Sequence, residues 1–220
     1  MNKIRIIFVC LGNICRSPMA EYIAKDIIEK QGLSQYFEIT SAATSREEIG
    51  NDIYPPAMRA LQSHGIRYDR HSARQITTDD YINNDYIIAM DKSYIRNLNK
   101  YFDDSQNHKI SLLMSYANED RDIADPWYTG DFDKAYNDIE RSCKALIDKL
   151  KTTHHINKVS LFNINLLFWH KQAGGRADNG NDRNEVIFWC RIFNLKKNRI
   201  FAGEMRDFGL LANRPKRHDA

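Results

Sequence analysis

The run Ile4-Arg5-Ile6-Ile7-Phe8-Val9-Cys10-Leu11-Gly12-Asn13-Ile14-Cys15-Arg16-Ser17-Pro18 decides how this chain folds. From Ile4 to Val9 the residues are almost all β-branched or aromatic, the pattern of a strand buried on both faces, as in a parallel sheet. Pro18 suits the first turn of a helix, where its missing N–H needs no partner. Met19, Ile23, Ile27 and Ile28 follow at helical spacing until Gly32. Between strand and helix, Cys10 and Arg16 stand six positions apart, as the two ends of one phosphate cradle. The five residues between them suffice to wrap backbone N–H groups around a tetrahedral anion, and Gly12 and Asn13 tolerate the left-handed conformations such a nest requires. The positive end of the helix and the Arg16 guanidinium, which can clamp two phosphate oxygens in its plane, complete the anion site. The same features favour a thiolate at Cys10, and Ser17 is expected to donate a hydrogen bond to it.

Outward from that loop, residues 37–41 read as a second strand and Pro55-Pro56 open a helix carrying Ala57, Ala60 and Leu61. Residues 86–90 and 110–114 read as strands three and four, and a helix over 131–149 closes the unit. Alternating strands and helices predict an α/β domain, a parallel sheet with helices on both faces and right-handed crossovers. Ligands of such a sheet bind beyond the carboxyl ends of the strands where strand order reverses, which puts the loop after the first strand in first place.

The whole chain has 220 residues, 42% hydrophobic and 28% charged, with mean hydropathy -0.60, which excludes collagen-like and wholly disordered classes. No apolar run approaches the roughly 20 residues of a membrane span, and the stretch before Cys10 is too short for a secretory signal with its cleavage site. A cytoplasmic protein without a membrane span is expected. Cys10, Cys15, Cys143 and Cys190 are irregularly spaced and form neither a disulfide framework nor paired metal-ligand knots. Residues 1–150 carry 19 Lys/Arg against 23 Asp/Glu, whereas 151–220 carry 13 against 6. That split divides the chain into a domain at 1–151 and a basic extension at 152–220, read as poorly ordered, in which 159–169 and 186–193 are strand-like and 174–184 is rich in Gly, Asn and Asp. Without a recognisable motif, the basic surplus predicts no nucleic-acid partner.

Further segments extend the pattern: Ser41-Ala42-Ala43-Thr44, His64-Gly65-Ile66, His71-Ser72-Ala73-Arg74-Gln75, Ala89-Met90-Asp91 and Asp125-Pro126-Trp127-Tyr128. With them, residues 3–150 resemble the low-molecular-weight protein tyrosine phosphatases. The resemblance implies a four-stranded parallel sheet flanked by helices. It also implies hydrolysis of protein phosphotyrosine and small aryl phosphates through a phosphocysteine on Cys10, without metal or cofactor. Cys10, Arg16 and Asp125 are then catalytic, Asp125 as the general acid that protonates the leaving phenolate and next as base for water. Leu11, Gly12, Asn13, Ile14, Cys15, Arg16 and Ser17 bind the phosphate, Trp127 and Tyr128 wall the phenyl ring, and Ser41 and His71 buttress Asn13. Family likeness also suggests that an oxidised Cys10 is trapped as a disulfide with Cys15. Cys143 is assigned to the core, and Asp120 and Asp122 to solvated loop charge. The partner is a phosphotyrosine protein, and the chain is expected to be a monomer or weak dimer. One departure stands out: Ser45-Arg46-Glu47-Glu48 offers charge where many relatives place an aromatic rim, which favours a less acidic phosphopeptide.

Three rivals share these residues. Arsenate reductases of this fold need two more cysteines in a nearby segment, and none lies between Ala73 and Asn118. Relatives that hydrolyse phosphoarginine carry Thr in the place of Ile14, so a branched apolar residue favours tyrosine. A catalytically silent phosphopeptide-binding module is disfavoured because Cys10, Arg16 and Asp125 are all present.

Overall fold

The computed structural model describes residues 3–103 and 108–156. Cys190 and the strand-like and Gly-rich stretches of the extension lie outside the described residues. Four strands, β1 (Ile4–Cys10), β2 (Phe37–Ala43), β3 (Tyr86–Ala89) and β4 (Ile110–Leu112), form one sheet in the order β2-β1-β3-β4. All three pairings are parallel. β1 is thus central, and strand order reverses beside it, as the switch-point rule requires of a ligand site.

The alternation of β1 divides the core. Ile6, Phe8 and Cys10 point to one layer, with Met19 and Ile23 of helix α1 (Arg16–Lys30), Leu61 of α2 (Pro55–Ser63) and Ile139 and Leu146 of α6 (Phe132–Thr153). Ile7 and Val9 point to the other, with Tyr81 of α3 (Thr78–Asn83) and Leu98 of α4 (Lys92–Phe102). Both faces are therefore dry beyond Arg5, and the unbroken apolar run from Ile6 to Cys10 follows from that. Both β1 and β2 run past the expected ends at 9 and 41, because Cys10 pairs with Ala43 in the ladder. β4 stops short of 114: Leu113 and Met114 leave the sheet in a 3-10 turn (Leu113–Ala117) and bury themselves instead, Met114 Sδ accepting from Ser142 Oγ of α6 at 3.2 Å.

Three helices went unread in the sequence. α3 opens on a capping box of Thr77 and Asp80, and α4 on Asp91, whose carboxylate accepts from the N–H groups of Ser93 and Tyr94. The third, α5 (Pro126–Thr129), is one turn where a loop was expected, with Asp125 as its cap. At the far end α6 continues to Thr153, beyond the expected 149, and Ile156 returns to the core while its N–H bonds the Lys151 carbonyl at 2.9 Å.

That return predicts a difference between two truncations. A chain ending at Ile156 should be more stable than one ending at Lys151 by about 1.5–3 kcal/mol, the worth of one buried isoleucine with its helical turn. Urea unfolding measures it, and equal midpoints would show that the last turn does not belong to the core.

Candidate active site

β1 delivers Cys10 to the carboxyl edge of the sheet and α1 begins six residues later at Arg16. The first turn of α1 carries no acidic residue and Cys15 makes no side-chain cap, so its leading N–H groups stay available to an anion. Within the loop, Asn13 alone takes the left-handed conformation, at φ 58°. Gly12 does not, contrary to the expectation from sequence. Its space is nonetheless tight, because a Cβ there meets Glu48 Cγ at 2.9 Å and the Glu48 side chain would have to shift.

Asn13 is fully buried and bonded on every side. Its amide donates to Ser17 Oγ at 2.9 Å and Ser41 Oγ at 2.8 Å, its Oδ1 accepts the Arg74 N–H at 3.2 Å, and its carbonyl meets His71 Nε2 at 2.7 Å. Ser41 and His71 therefore both touch the loop through Asn13. Two supports were missed. Ser41 donates onward to the buried Glu21 at 2.6 Å, and Arg74, whose backbone serves Asn13, is fixed by a two-pronged pair to Asp80 at 2.7 and 3.0 Å. Glu21 lies four residues after Ser17 on α1, so helical spacing already placed it on the same face.

Cys10 Sγ lies 3.1 Å from Ser17 Oγ and 3.3 Å from the Asn13 nitrogen, whose N–H donates to it. The Ser17 hydroxyl also lies 3.3 Å from the Ala42 carbonyl. A single hydroxyl proton cannot serve both, and the Cys10 sulfur is the closer of the two. Cys10 is only 3% exposed, yet it lines a cleft of about 200 Å³ together with Ile14, Arg16, Asp125, Trp127 and Tyr128. Cys15 also lines the cleft, but burial, then the charges of Cys10 and Asp125, push its thiol up to about 12. Burial pushes the Cys143 thiol up as well. Cys10, Cys15 and Cys143 are all free thiols here.

Arg16 is 3% exposed, and its guanidinium sits among acceptors. Nη1 donates to the Ile123 carbonyl at 3.1 Å and to Asp91 Oδ2 at 3.4 Å, while Nη2 donates to Tyr94 Oη at 3.0 Å and to Asp125 Oδ2. Burial disfavours its charge, but Cys10, Tyr94 and Asp125 outweigh that and raise its pKa above the usual value. Asp125 caps α5 with its other oxygen, which accepts the Trp127 N–H at 3.1 Å. The segment leading to Asp125 is tied down: Arg121 holds Asp138 of α6 at 2.9 and 2.7 Å, and the Ile123 N–H bonds the Met90 carbonyl at 3.0 Å. Asp120 pairs with Lys92 in solvent, and Asp122 accepts the Lys92 N–H at 2.9 Å.

Trp127 and Tyr128 stand at the mouth, 53% and 80% exposed. The ring of Tyr54, unremarked in the sequence, lies 4.7 Å from that of Trp127 and steadies it. Glu47 and Glu48 form the opposite rim, where the sequence predicted charge. Among the described residues no cluster of three His, Cys, Asp or Glu side chains is arranged to hold a metal, and no helix is long and apolar enough to cross a membrane.

A family model described as low molecular weight phosphotyrosine protein phosphatase matches residues 5–156. The enzyme of that name from Rattus norvegicus is 42% identical over 152 residues, covering 66% of this chain and 94% of the relative. Among solved structures, YfkJ from Bacillus subtilis is similar with a TM-score of 0.67 at 36% identity, covering 70% of this chain and 98% of that one. A drosophila arginine phosphatase is similar with a TM-score of 0.60 at 34% identity, covering 66% and 97%.

Because burial pushes the Cys15 thiol well above its ordinary range, it is not expected to compete with Cys10 for an alkylating agent at neutral pH. Iodoacetate at pH 7 is expected to carboxymethylate Cys10 and leave Cys15 and Cys143 unmodified, with inorganic phosphate slowing the reaction. Peptide mass mapping reads the outcome, and labelling of Cys15 at the same rate would overturn the assignment.

Proposed function

Since the chain belongs to the low molecular weight phosphotyrosine protein phosphatase family and is thus an enzyme that hydrolyses phosphotyrosine, we propose that Cys10, Arg16 and Asp125 carry the reaction. What supports this most is the meeting of all three in one cleft, with Asp125 on the guanidinium and Ser17 on the sulfur.

The phosphate enters the ring of N–H groups from Leu11 to Ser17, and the positive end of α1 offsets its charge. Arg16 turns its N–H groups to two phosphate oxygens and gives up Asp125. That carboxyl, released from the guanidinium, then serves as the acid beside the leaving oxygen. The Cys10 sulfur attacks phosphorus as the bond to the phenolic oxygen breaks, and Asp125 delivers its proton to that oxygen. Asp125, now a carboxylate, takes a proton from the water that attacks the phosphocysteine. Inorganic phosphate leaves, and the Cys10 thiolate is restored with the Ser17 hydroxyl on it. No residue outside these is needed to balance the reaction. Asn13, Ser41 and His71 keep the loop in shape, and Trp127 and Tyr128 face the phenyl ring.

The catalytic unit is residues 1–151 together with the short segment to Ile156 that packs on the core. We place it in the cytoplasm, where three free thiols persist. It acts on phosphotyrosine proteins, as a monomer or weak dimer.

Turnover of phenyl phosphate tests the mechanism. Cys10→Ser is expected to abolish it, and Asp125→Asn to lower kcat by about 10²- to 10⁴-fold, the usual worth of a positioned acid. Equal turnover by wild type and Cys10→Ser would eliminate the mechanism. A substrate panel tests specificity, prompted by the arginine phosphatase among the similar structures and by Ile14 and the two rim glutamates on the cleft. Wild type should prefer a phosphotyrosine peptide flanked by Lys over one flanked by Glu, and both over a phosphoarginine peptide. Ile14→Thr should narrow the last gap, and a wild-type preference for phosphoarginine would reverse the assignment.

A further inference from the structure

Arg16 has two kinds of partner. Asp125 sits on a one-turn helix at the solvent-facing mouth, and substrate must displace it. Tyr94 and Asp91, by contrast, belong to the first turn of α4 and are built into the fold. Asp91 Oδ1 caps α4 by accepting the Ser93 and Tyr94 N–H groups at 2.9 and 3.2 Å, and its Oδ2 reaches Arg16. The same turn delivers the buried Tyr94 ring, with the guanidinium carbon 5.6 Å from its centroid and Oη 3.0 Å from Nη2.

The chemistry of the two acceptors differs. Asp91 and Asp125 both cancel the positive charge that a phosphate seeks. Burial pushes the Tyr94 phenol up, so it stays neutral and orients Nη2 without neutralising it. Among the described residues no acceptor takes the Arg16 Nε–H, and Asp125 takes one hydrogen of Nη2. Those two hydrogens are the ones a phosphate recruits without breaking the buried set. Once Asp125 leaves, only Tyr94 still holds Nη2.

Resting on the reading of Arg16 as the phosphate clamp, we propose that Tyr94 is a positioning residue: its hydroxyl holds Nη2 of Arg16 so that the guanidinium stays aimed at the cradle when Asp125 departs. Tyr94→Phe keeps the ring and removes only the acceptor. The Kd of inorganic phosphate, read as protection of Cys10 against iodoacetate, is expected to rise about five- to tenfold, within the net worth of one ordinary intramolecular hydrogen bond. KM for phenyl phosphate should rise in parallel, with little change in thermal midpoint. In an Arg16→Lys background the same substitution should change that Kd by less than about twofold, because its effect runs through the guanidinium. Tyr94→Gln restores an acceptor without a ring and should bind phosphate more tightly than Tyr94→Leu, which has neither.

An unmoved Kd in Tyr94→Phe overturns the proposal, whether or not the thermal midpoint falls. So does an equal loss in the Arg16→Lys background, or a Gln variant no better than the Leu variant. Those results, with wild-type turnover intact, count against Tyr94 alone. Absence of wild-type turnover counts against the phosphatase mechanism itself.

Discussion

The curvature of the anion-binding loop depends on Asn13 being held in the left-handed region. An L-residue loses about 1–2 kcal/mol there, asparagine least, because its short side chain bonds locally. The hydrogen bonds to Ser17, Ser41, Arg74 and His71, at about 0.5–1.5 kcal/mol each, exceed that strain. Their origins matter as much as their number. They come from α1, from β2 and from the segment after α2, so the shape of a short loop is fixed by three elements far apart in the chain. With Asn13 turned, its own N–H points at the Cys10 sulfur, and the residue that bends the loop also contributes to the nest.

Charge in the cleft is arranged economically. Arg16 is the only cation among the residues that line it, while Glu47, Glu48 and Asp125 are all acidic. Phosphate affinity therefore cannot come from net charge. It has to come from N–H groups aimed at the anion and from the axis of α1, whose first turn holds no competing carboxylate. Groups of that kind attract a tetrahedral dianion at short range and do little for a distant one, so binding is local and shape-dependent.

Much of this was legible in the chain because β1 and α1 carry local signals that agree with their tertiary setting. Six successive residues from Ile4 include four with no exposure, since the sheet is covered on both faces, and α1 has Met19, Ile23 and Ile27 at helical spacing within a helix buried without a break from Arg16 to Ala24. Cys10 and Arg16 were proposed from the loop that joins β1 to α1, whereas Asp125 was proposed from the likeness of Asp125-Pro126-Trp127-Tyr128 to the family's segment. The helices α3, α4 and α5 were not seen. α3 and α5 bury only Tyr81 and Pro126, too few to set up a period, whereas α4 carries one in Tyr94, Ile95, Leu98 and Phe102 that was overlooked. Their real signals are capping side chains, Thr77 with Asp80, Asp91 and Asp125, and each of those looks like loop chemistry when read alone. Tyr54 and Tyr94 escaped for a different reason: their partners Trp127 and Arg16 lie on distant segments, 78 residues away for Tyr94, and spacing on one element says nothing about pairing across elements. Glu21 shares the face of Ser17 by helical spacing, but its partner Ser41 lies 20 residues away on β2.

The capping residues that sequence reading overlooked are also the ones that connect the fold to the chemistry. Asp91 starts α4 with one oxygen and bonds Arg16 with the other; Asp125 starts α5 with one oxygen and bonds Arg16 with the other. Each carboxylate thereby ties a helix N-terminus to the guanidinium, but the two helices are anchored unequally. α4 has eleven residues and a buried leucine to hold it, whereas α5 has four and is buried only through Pro126. In the proposed mechanism, a phosphate that competes for Arg16 displaces the shorter helix, and the carboxyl so released is the proposed acid, Asp125; on that reading the inequality of the two anchors selects which acid is released to act.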